Sequence, residues 1–301
     1  MKISAIIVTY NRLPLLQRAV ECLRQQTRPL DCIVVVNNSS PDGTGQWLAS
    51  QHDLDVVTQP NVGGSGGFYT GLKHAYESGS DKIWCMDDDV YPQPQCLERL
   101  LACDDEHTGI LCPVRWQDDH YMLELARFNL TSIFRRLHYR DVVTADIQSR
   151  EFNYIEGMSF EGPLIDRKVV DRIGLPNKEL FILFDDSDYS YRAVLAGFKV
   201  KLVSSAVMGK ELFKSNADAV TAFRKTKWKV PYMLRNTVYF NKTYGRNFAV
   251  RYVRTFFSMF KFECCVAKNI LFNKKYDIYD FARLFRAYRD GMAGRLGKID
   301  Y

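Results

Sequence analysis

"ISAIIVTYNRLPLLQRAVECLRQQ", residues 3–26, holds the reading on which the fold turns. Its first part, Ile3 to Val8, is a largely β-branched apolar run without polar alternation, the pattern of a strand buried on both faces. Its second part repeats apolar residues at helical spacing, Leu13, Leu16, Val20 and Leu23. Pro14 is tolerated there because a first-turn N–H has no intrahelical partner to lose. A buried strand feeding an amphipathic helix through "TYNR" is the opening of a β–α unit.

The same rhythm continues outward. "CIVVVNN" (32–38), "LDVVTQP" (54–60), "KIWCM" (82–86) and "GILCP" (109–113) read as further buried strands. Between them lie a short helix in "SSPDGTGQWLAS", a helix in "GGFYTGLKHAYESG" and another in "QPQCLERLLA". The second of these carries Phe68, Leu72 and Ala75 on one face and stops at Gly79. This alternation predicts an α/β fold, a mostly parallel sheet with helices on both faces. Residues 116–153 are less regular, with a strand-like "DVVTADI"; order returns at 154–208 with a helix in "RKVVDRIGLP" and a strand in "KVKLVSS". Beyond about residue 218 the pattern is helical, with basic and aromatic residues mixed.

Composition narrows the class. A 47% hydrophobic and 25% charged chain of 301 residues suits an ordinary globular protein with a sizeable core. No stretch approaches the roughly 20 apolar residues that span a bilayer, and the apolar start is too short for a signal peptide, so a cytosolic protein is expected. The eight cysteines form no C-x-x-C pair, and Cys32, Cys85 and Cys112 sit in apolar runs, as reduced core thiols do. The net charge of +6 is unevenly spread: residues 224–301 hold 18 Lys/Arg against 5 Asp/Glu, residues 1–223 hold 23 against 30.

Parallel sheets of this kind bind ligands beyond the carboxyl ends of their strands. Along that rim fall Thr9 and Asn11, Asn37, Asn61 with the "GGSGG" that follows, and Asp87, Asp88 and Asp89. Strand alternation aims Asp87 and Asp89 to one side and Asp88 to the other. Two carboxylates on one side suit a hard divalent cation, Mn²⁺ or Mg²⁺, with a partner phosphate; a solvated acidic loop or helix cap is the plain alternative. The amides of "NVGGSGG", Gly63 and Gly64 among them, can face anionic oxygens at a helix start, although the motif is neither G-x-G-x-x-G nor a P-loop. "FDDSD" (184–188) opens a helix whose dipole stabilises acids in its first turn. Asp185 is the candidate cap, which leaves Asp186 free to act as a general base.

Taken in order, "SAIIVTYNR", "VVVNNSSPDGT", "NVGGSGG", "MDDDV" and "FDDSDYSYR" resemble family 2 glycosyltransferases of the GT-A fold over roughly residues 1–210. Within that family "NVGGSGGF" and "MDDD" look most like bacterial galactofuranosyltransferases, with rhamnosyltransferases next. The resemblance implies a GT-A (Rossmann-like) catalytic domain over 1–217, with a nucleotide-sugar half at 1–115 and an acceptor half at 116–217. A helical C-terminal appendage would occupy 218–301. It implies inverting transfer of galactofuranose from UDP-galactofuranose, or alternatively rhamnose from dTDP-rhamnose, to a glycan acceptor in cell-surface polysaccharide synthesis. Thr9 and Asn11 would then border the uridine and Asn37 and Asn61 the base and ribose. Gly63, Gly64, Asp87 and Asp88 would complete the donor site, with Asp87 and Asp89 as metal ligands and Asp186 as the base. Tyr154, Phe160 and Asp185 are assigned to the acceptor.

Two positions depart from the family's pattern. Asn37 stands where an aspartate is usual, and Gly209 or Lys210 stands where a metal-binding histidine often follows the strand after the base helix. A sugar nucleotidyltransferase would need a phosphate loop where this chain has "TYNRLP"; a non-catalytic sugar-nucleotide-binding protein is the rival of a different class. The basic, aromatic C-terminal stretch is read as a peripheral contact with an anionic membrane, facing a lipid-linked acceptor, against the alternatives of plain packing or nucleic acid. Nucleic acid is not expected as a partner.

Overall fold

The computed structural model describes residues 1–213, 219–272 and 276–300. Its first half follows the predicted alternation: β1 (Ile3–Thr9), α1 (Leu13–Arg24), β2 (Cys32–Asn37), α2 (Thr44–Ala49), β3 (Leu54–Thr58), α3 (Gly63–Glu77) and β4 (Lys82–Asp87). Then come β5 (Val90–Pro92), α4 (Cys96–Ala102), β6 (Thr108–Gln117), β7 (His120–Tyr121), β8 (Glu124–Phe128) and β9 (His138–Val142). They are followed by α5 (Thr144–Ser149), β10 (Phe152–Tyr154), β11 (Leu164–Asp166), α6 (Arg167–Ile173), α7 (Asp185–Leu195) and β12 (Lys199–Lys210). The strand expected in "DVVTADI" ends at Val142, and Thr144–Ser149 turn into a short helix in which Asp146 bonds back to the Val143 amide.

The main sheet runs β10-β12-β6-β11-β4-β1-β2-β3, with β5 on β12 and β7 on β6. The pairs β4/β1, β1/β2, β2/β3 and β12/β6 are parallel. β11 is inserted antiparallel between β4 and β6, so the sheet is mixed at its centre. Both faces are covered, which is why β1 is buried along its whole length. Ile6 and Val8 pack with Phe68 and Leu72 on one side; Ile3, Ala5 and Ile7 pack with Leu16, Val20 and Leu97 on the other. The glycine-rich stretch forms the first turns of α3 rather than a loop. Its glycines let the helix lie close on β1: a Cβ on Gly67 would stand 2.4 Å from Val8 Cγ1.

Two compact units emerge. One comprises residues 1–128, 140–178 and 185–212; the other comprises 129–139, 179–184 and 213–301. The expected boundary at 217/218 lies outside the described residues, and two segments from before it belong to the second unit. That unit contains α8 (Ala219–Thr226), α9 (Lys229–Tyr244), a π-helical stretch at Ala249–Arg254, α10 (Thr255–Phe272) and α11 (Tyr279–Ala293). Its core gathers Leu234, Val238, Val266 and Leu284. In the same unit Asn236 Nδ2 donates to the carbonyls of Leu180, Ile182 and Leu183 at 3.1, 2.9 and 2.9 Å. Arg235 Nη2 adds a bond to the Leu180 carbonyl at 3.0 Å. These donors hold a segment where Phe181, Leu183 and Phe184 all adopt positive φ, an arrangement that needs outside support. All eight cysteines are free, and no helix among the described residues is long and apolar enough to cross a membrane.

Candidate active site

Register fixes the rim. Asn37 is paired with both Thr9 and Thr58, and Asp87 with Val8, so the carboxyl ends of β3, β2, β1 and β4 lie side by side. Thr9 is buried, and its Oγ1 donates to Asp88 at 2.7 Å. Asn37 is also buried, its Oδ1 accepting from the Ser40 amide at 3.0 Å. Asn11, exposed, holds a left-handed backbone with φ 55°, and its amide donates to Ser40 Oγ. Asn61 Oδ1 accepts from the Gly63 amide, using an N–H at the α3 start that the motif had suggested for a ligand. Gly64 has open space where a side chain would be.

At the end of β4 the acids are drawn together with cations. Arg12 Nη1 lies 3.1 Å from both Asp88 and Asp89, and Lys210 Nζ lies 2.6 Å from Asp89 Oδ1. A further acid joins them. Glu161 receives Lys210 Nζ at 2.8 Å and pairs with Arg115, which also binds the buried Glu124 at 2.5 Å. Glu161 is carried beside β4 by the residue after it: Gly162 N–H donates to the Cys85 carbonyl and its own carbonyl accepts from Trp84 Nε1. Gly162 has φ 109°, and a Cβ there would collide with Met208 Sδ at 2.2 Å. No other residue type fits that position.

Asp87, Asp89 and Glu161 each present an oxygen within 4.8 Å of the others. An octahedral Mg²⁺ or Mn²⁺ places neighbouring oxygens about 3 Å and opposite ones about 4.2 Å apart, so an inward turn of the carboxylates by about 1 Å would let all three bind one ion. An all-oxygen, anionic donor set is the one such ions prefer. Electrostatics agree with a cation deficit. Burial, then the charges of Glu161, Asp89 and Asp88, pushes Asp87 far above the usual carboxylate range. Burial would raise Glu161 too, but Arg115 and Lys210 outweigh it and hold it low.

Glu161 also links this group to the second cluster. Burial first, then the charges of Asp185 and Glu161, raises Asp186, whose Oδ1 accepts from the Ser187 amide at 2.6 Å. Asp185 is buried and likewise raised by desolvation, offset by its own and the Asp186 backbone amides. Two such adjacent carboxyls titrate as a pair. Asp188, the third acid of the cluster, serves the helix itself: it binds Arg192 at 2.9 Å one turn on.

Two acceptor assignments do not survive. Phe160 is buried, stacked on Phe68 with centroids 4.5 Å apart and packed near Tyr189, so its ring has no free face for a sugar. Tyr154 pairs with Lys201, and the stretch of β12 from Lys201 to Gly209 runs alongside only Leu111 to Trp116 of β6, which puts Tyr154 roughly 20 Å along the sheet from the carboxylates. It lines a separate cavity with Arg127, Arg140 and Lys199. The residues that sequence reasoning missed are Glu161, Arg12, Arg115 and Trp116. Trp116, part-exposed and edge-on to Tyr121, sits opposite Gly209 in the β6/β12 register, next to Lys210. A lone acid in "FEGP" and charged residues ending apolar strands were the available signals.

Comparison with known proteins agrees with this architecture. The model of glycosyl transferase family 2 matches residues 4–154. Galactofuranosyltransferase GlfT1 of Mycolicibacterium smegmatis is 29% identical over 208 residues, 65% of this chain and 66% of that protein, so the match spans just under two thirds of the relative's length. The dTDP-rhamnosyl transferase RfbF of Shigella flexneri is 24% identical over 68% of each chain. Among solved structures, the mannosyltransferase PcManGT from Pyrobaculum calidifontis, in complex with GDP-Man and Mn²⁺, superposes with a TM-score of 0.53 at 13% identity. It covers 98% of this chain and 88% of that one. S. aureus TarS 1–349 in complex with UDP gives 0.52 at 18% identity, over 98% and 91%. With a family model spanning half its length and a GT-A-like sheet carrying the acids at its carboxyl rim, the chain belongs to glycosyl transferase family 2.

Proposed function

We propose that the chain transfers galactofuranose from UDP-galactofuranose, with inversion, to a glycan acceptor of cell-surface polysaccharide synthesis. The observation that carries this is the continuity of the two acidic clusters through Glu161, which puts a candidate cation site and a high-pKa carboxylate in one electrostatic unit. Asp87, Asp89 and Glu161 would hold Mn²⁺ or Mg²⁺, which when bound supplies Lewis-acid stabilisation of the departing diphosphate. Thr9, Asn11, Asn37, Asn61, Gly63 and Gly64 line the donor side of the rim, and Asp88 braces it through Thr9 and Arg12. Asp186 takes the proton from the acceptor hydroxyl as it attacks the face opposite the leaving group. The Ser187 amide holds that carboxyl, and after burial the charge of Asp185 helps to keep its pKa high. Trp116 offers a ring face to a sugar.

The galactofuranosyltransferase relatives favour this donor over dTDP-rhamnose, and RfbF keeps the second reading in view. Release of UDP or dTDP from UDP-galactofuranose, UDP-galactopyranose and dTDP-rhamnose, each with a glycan acceptor, separates them. Turnover of none of the three rejects the transferase reading.

The same proposal seats the chain on the inner face of the cell membrane. In the second unit Phe248, Tyr252, Phe256, Phe257 and Phe260 are exposed along successive turns, flanked by exposed Arg251, Lys261 and Lys268. Aromatic rings beside basic side chains suit an anionic bilayer and a lipid-linked acceptor. Sedimentation with anionic vesicles that weakens at high salt supports the contact; equal recovery with and without vesicles rejects it.

A further inference from the structure

Lys210 ends β12 with its side chain largely buried and its ammonium wedged between Asp89 and Glu161, at 2.6 and 2.8 Å. These are two of the three carboxylates that could hold a metal ion. The lysine therefore occupies two of the carboxylates that an ion would need. An ammonium and a divalent cation cannot share them: both would lie within about 4 Å in a poorly solvated pocket, where like charges repel strongly. The neighbouring cations are already engaged, Arg12 with Asp88 and Asp89, and Arg115 with Glu124 and Glu161. Lys210 alone sits on a flexible four-carbon stem that can swing away without unpairing a rigid guanidinium fork.

We propose that Lys210 is a built-in competitor for the divalent cation. In the nucleotide-free protein its ammonium closes the Asp89–Glu161 gap and keeps metal affinity low. When the donor enters, the diphosphate offers the ammonium another anion, Lys210 moves onto it, and the two carboxylates are released to the ion that accompanies the nucleotide. Metal and donor binding are thereby coupled, with each strengthening the other by the same factor. The inference rests on the donor-site reading for the second half of the cycle, but its first half concerns the metal and the free protein alone.

The test is Mn²⁺ binding followed by electron paramagnetic resonance, on the intact chain, with and without UDP. Without nucleotide, Lys210→Met should bind Mn²⁺ at least tenfold more tightly than the wild type. Lys210→Gln should follow Lys210→Met, and adding Asp89→Asn to Lys210→Met should abolish the gain, which ties it to the carboxylate pair. UDP should tighten Mn²⁺ binding by the wild type tenfold or more and by Lys210→Met much less. Equal or weaker Mn²⁺ binding by the variants, or tight binding by the wild type without nucleotide, overturns the proposal. Should the Mn²⁺ series behave as described while no nucleotide-sugar is turned over, the competition stands and the transferase reading falls.

Discussion

Replacing Asp186 by Asn separates a catalytic carboxylate from one that merely decorates a helix start. The amide is the same size and its Oδ1 can keep the bond from the Ser187 amide, so geometry is retained while the charge and the proton acceptor go. A positioned general base contributes about 10²–10⁴-fold, so turnover should fall by about 3–5 kcal/mol in the barrier, with donor binding unchanged. Stability should move the other way. Asp186 is raised by burial and by Asp185 and Glu161, so between the ordinary carboxylate pKa and the raised one the folded chain binds more protons than the unfolded chain. Stability from the protonated form is full at low pH and lost as pH rises through the folded value. Every tenfold by which folding tightens the grip on that proton costs about 1.4 kcal/mol once the group must ionise, so removing the carboxylate should return about 1–3 kcal/mol at neutral pH. At roughly 2–4 °C per kcal/mol that is a rise of several degrees in Tm. The assays are UDP release under saturating donor and a thermal melt at neutral pH. The wild-type rate should also climb with pH through an apparent pKa above the usual carboxylate range. Turnover within tenfold of wild type, or a melting temperature that drops, would refute the assignment.

Other substitutions test the site and its frame. Glu161→Gln should weaken Mn²⁺ binding in the presence of UDP tenfold or more and, because Arg115 keeps Glu124, cost only about 1–3 kcal/mol in a denaturant titration. Gly67→Ala should lose about 1–3 kcal/mol because its Cβ meets Val8, whereas Gly64→Ala, with open space around it, should be neutral or slightly stabilising; paired melts compare them. Asn236→Ala takes a donor from the Ile182 and Leu183 carbonyls, while Leu180 keeps Arg235, and should cost about 1–3 kcal/mol by chemical denaturation. Trp116→Ala should raise the KM for acceptor severalfold with kcat little changed.

The sheet was legible because its signals are local. Ile3–Val8, Cys32–Val36 and Ile83–Met86 are apolar on both faces, and only a strand covered on both sides needs that. The antiparallel insertion of β11 was not legible: "LID" is three residues long, and its place between β4 and β6 is set by partners about 80 and 54 residues away in sequence. In the site, the acids announced themselves by density. Glu161 did not, because it becomes a member of the group only when Gly162 bonds to Cys85 across the fold. Phe160 and Tyr154 failed as acceptor contacts for a related reason. An aromatic residue reads the same in sequence whether its ring is stacked on Phe68 or free for a sugar, and only packing tells them apart. The glycine run shows the converse: its composition suggested amides that can face anionic oxygens, and packing adds a use that sequence did not show, the close seat of α3 on β1.

The arrangement of charge explains why both acidic clusters can exist in one fold. Asp87, Asp88, Asp89, Glu124, Glu161, Asp185 and Asp186 face only Arg12, Arg115 and Lys210 as ion-pair partners in the contacts described above. Left ionised, that set would be strongly repulsive in a buried setting. The protein answers in two ways. It lets Asp87 and the Asp185–Asp186 pair hold protons more tightly than ordinary carboxyls do, and it sets each of those three cations between two acids at once. Neither answer neutralises an incoming diphosphate, which would add negative charge to a site already short of positive charge. A divalent cation repairs the deficit, and a donor that arrives with one brings its own solution. On the proposed reading the site takes a ligand that is anionic and metal-bound at the same time, and the raised pKa of Asp186 follows first from burial and then from the charges of Asp185 and Glu161.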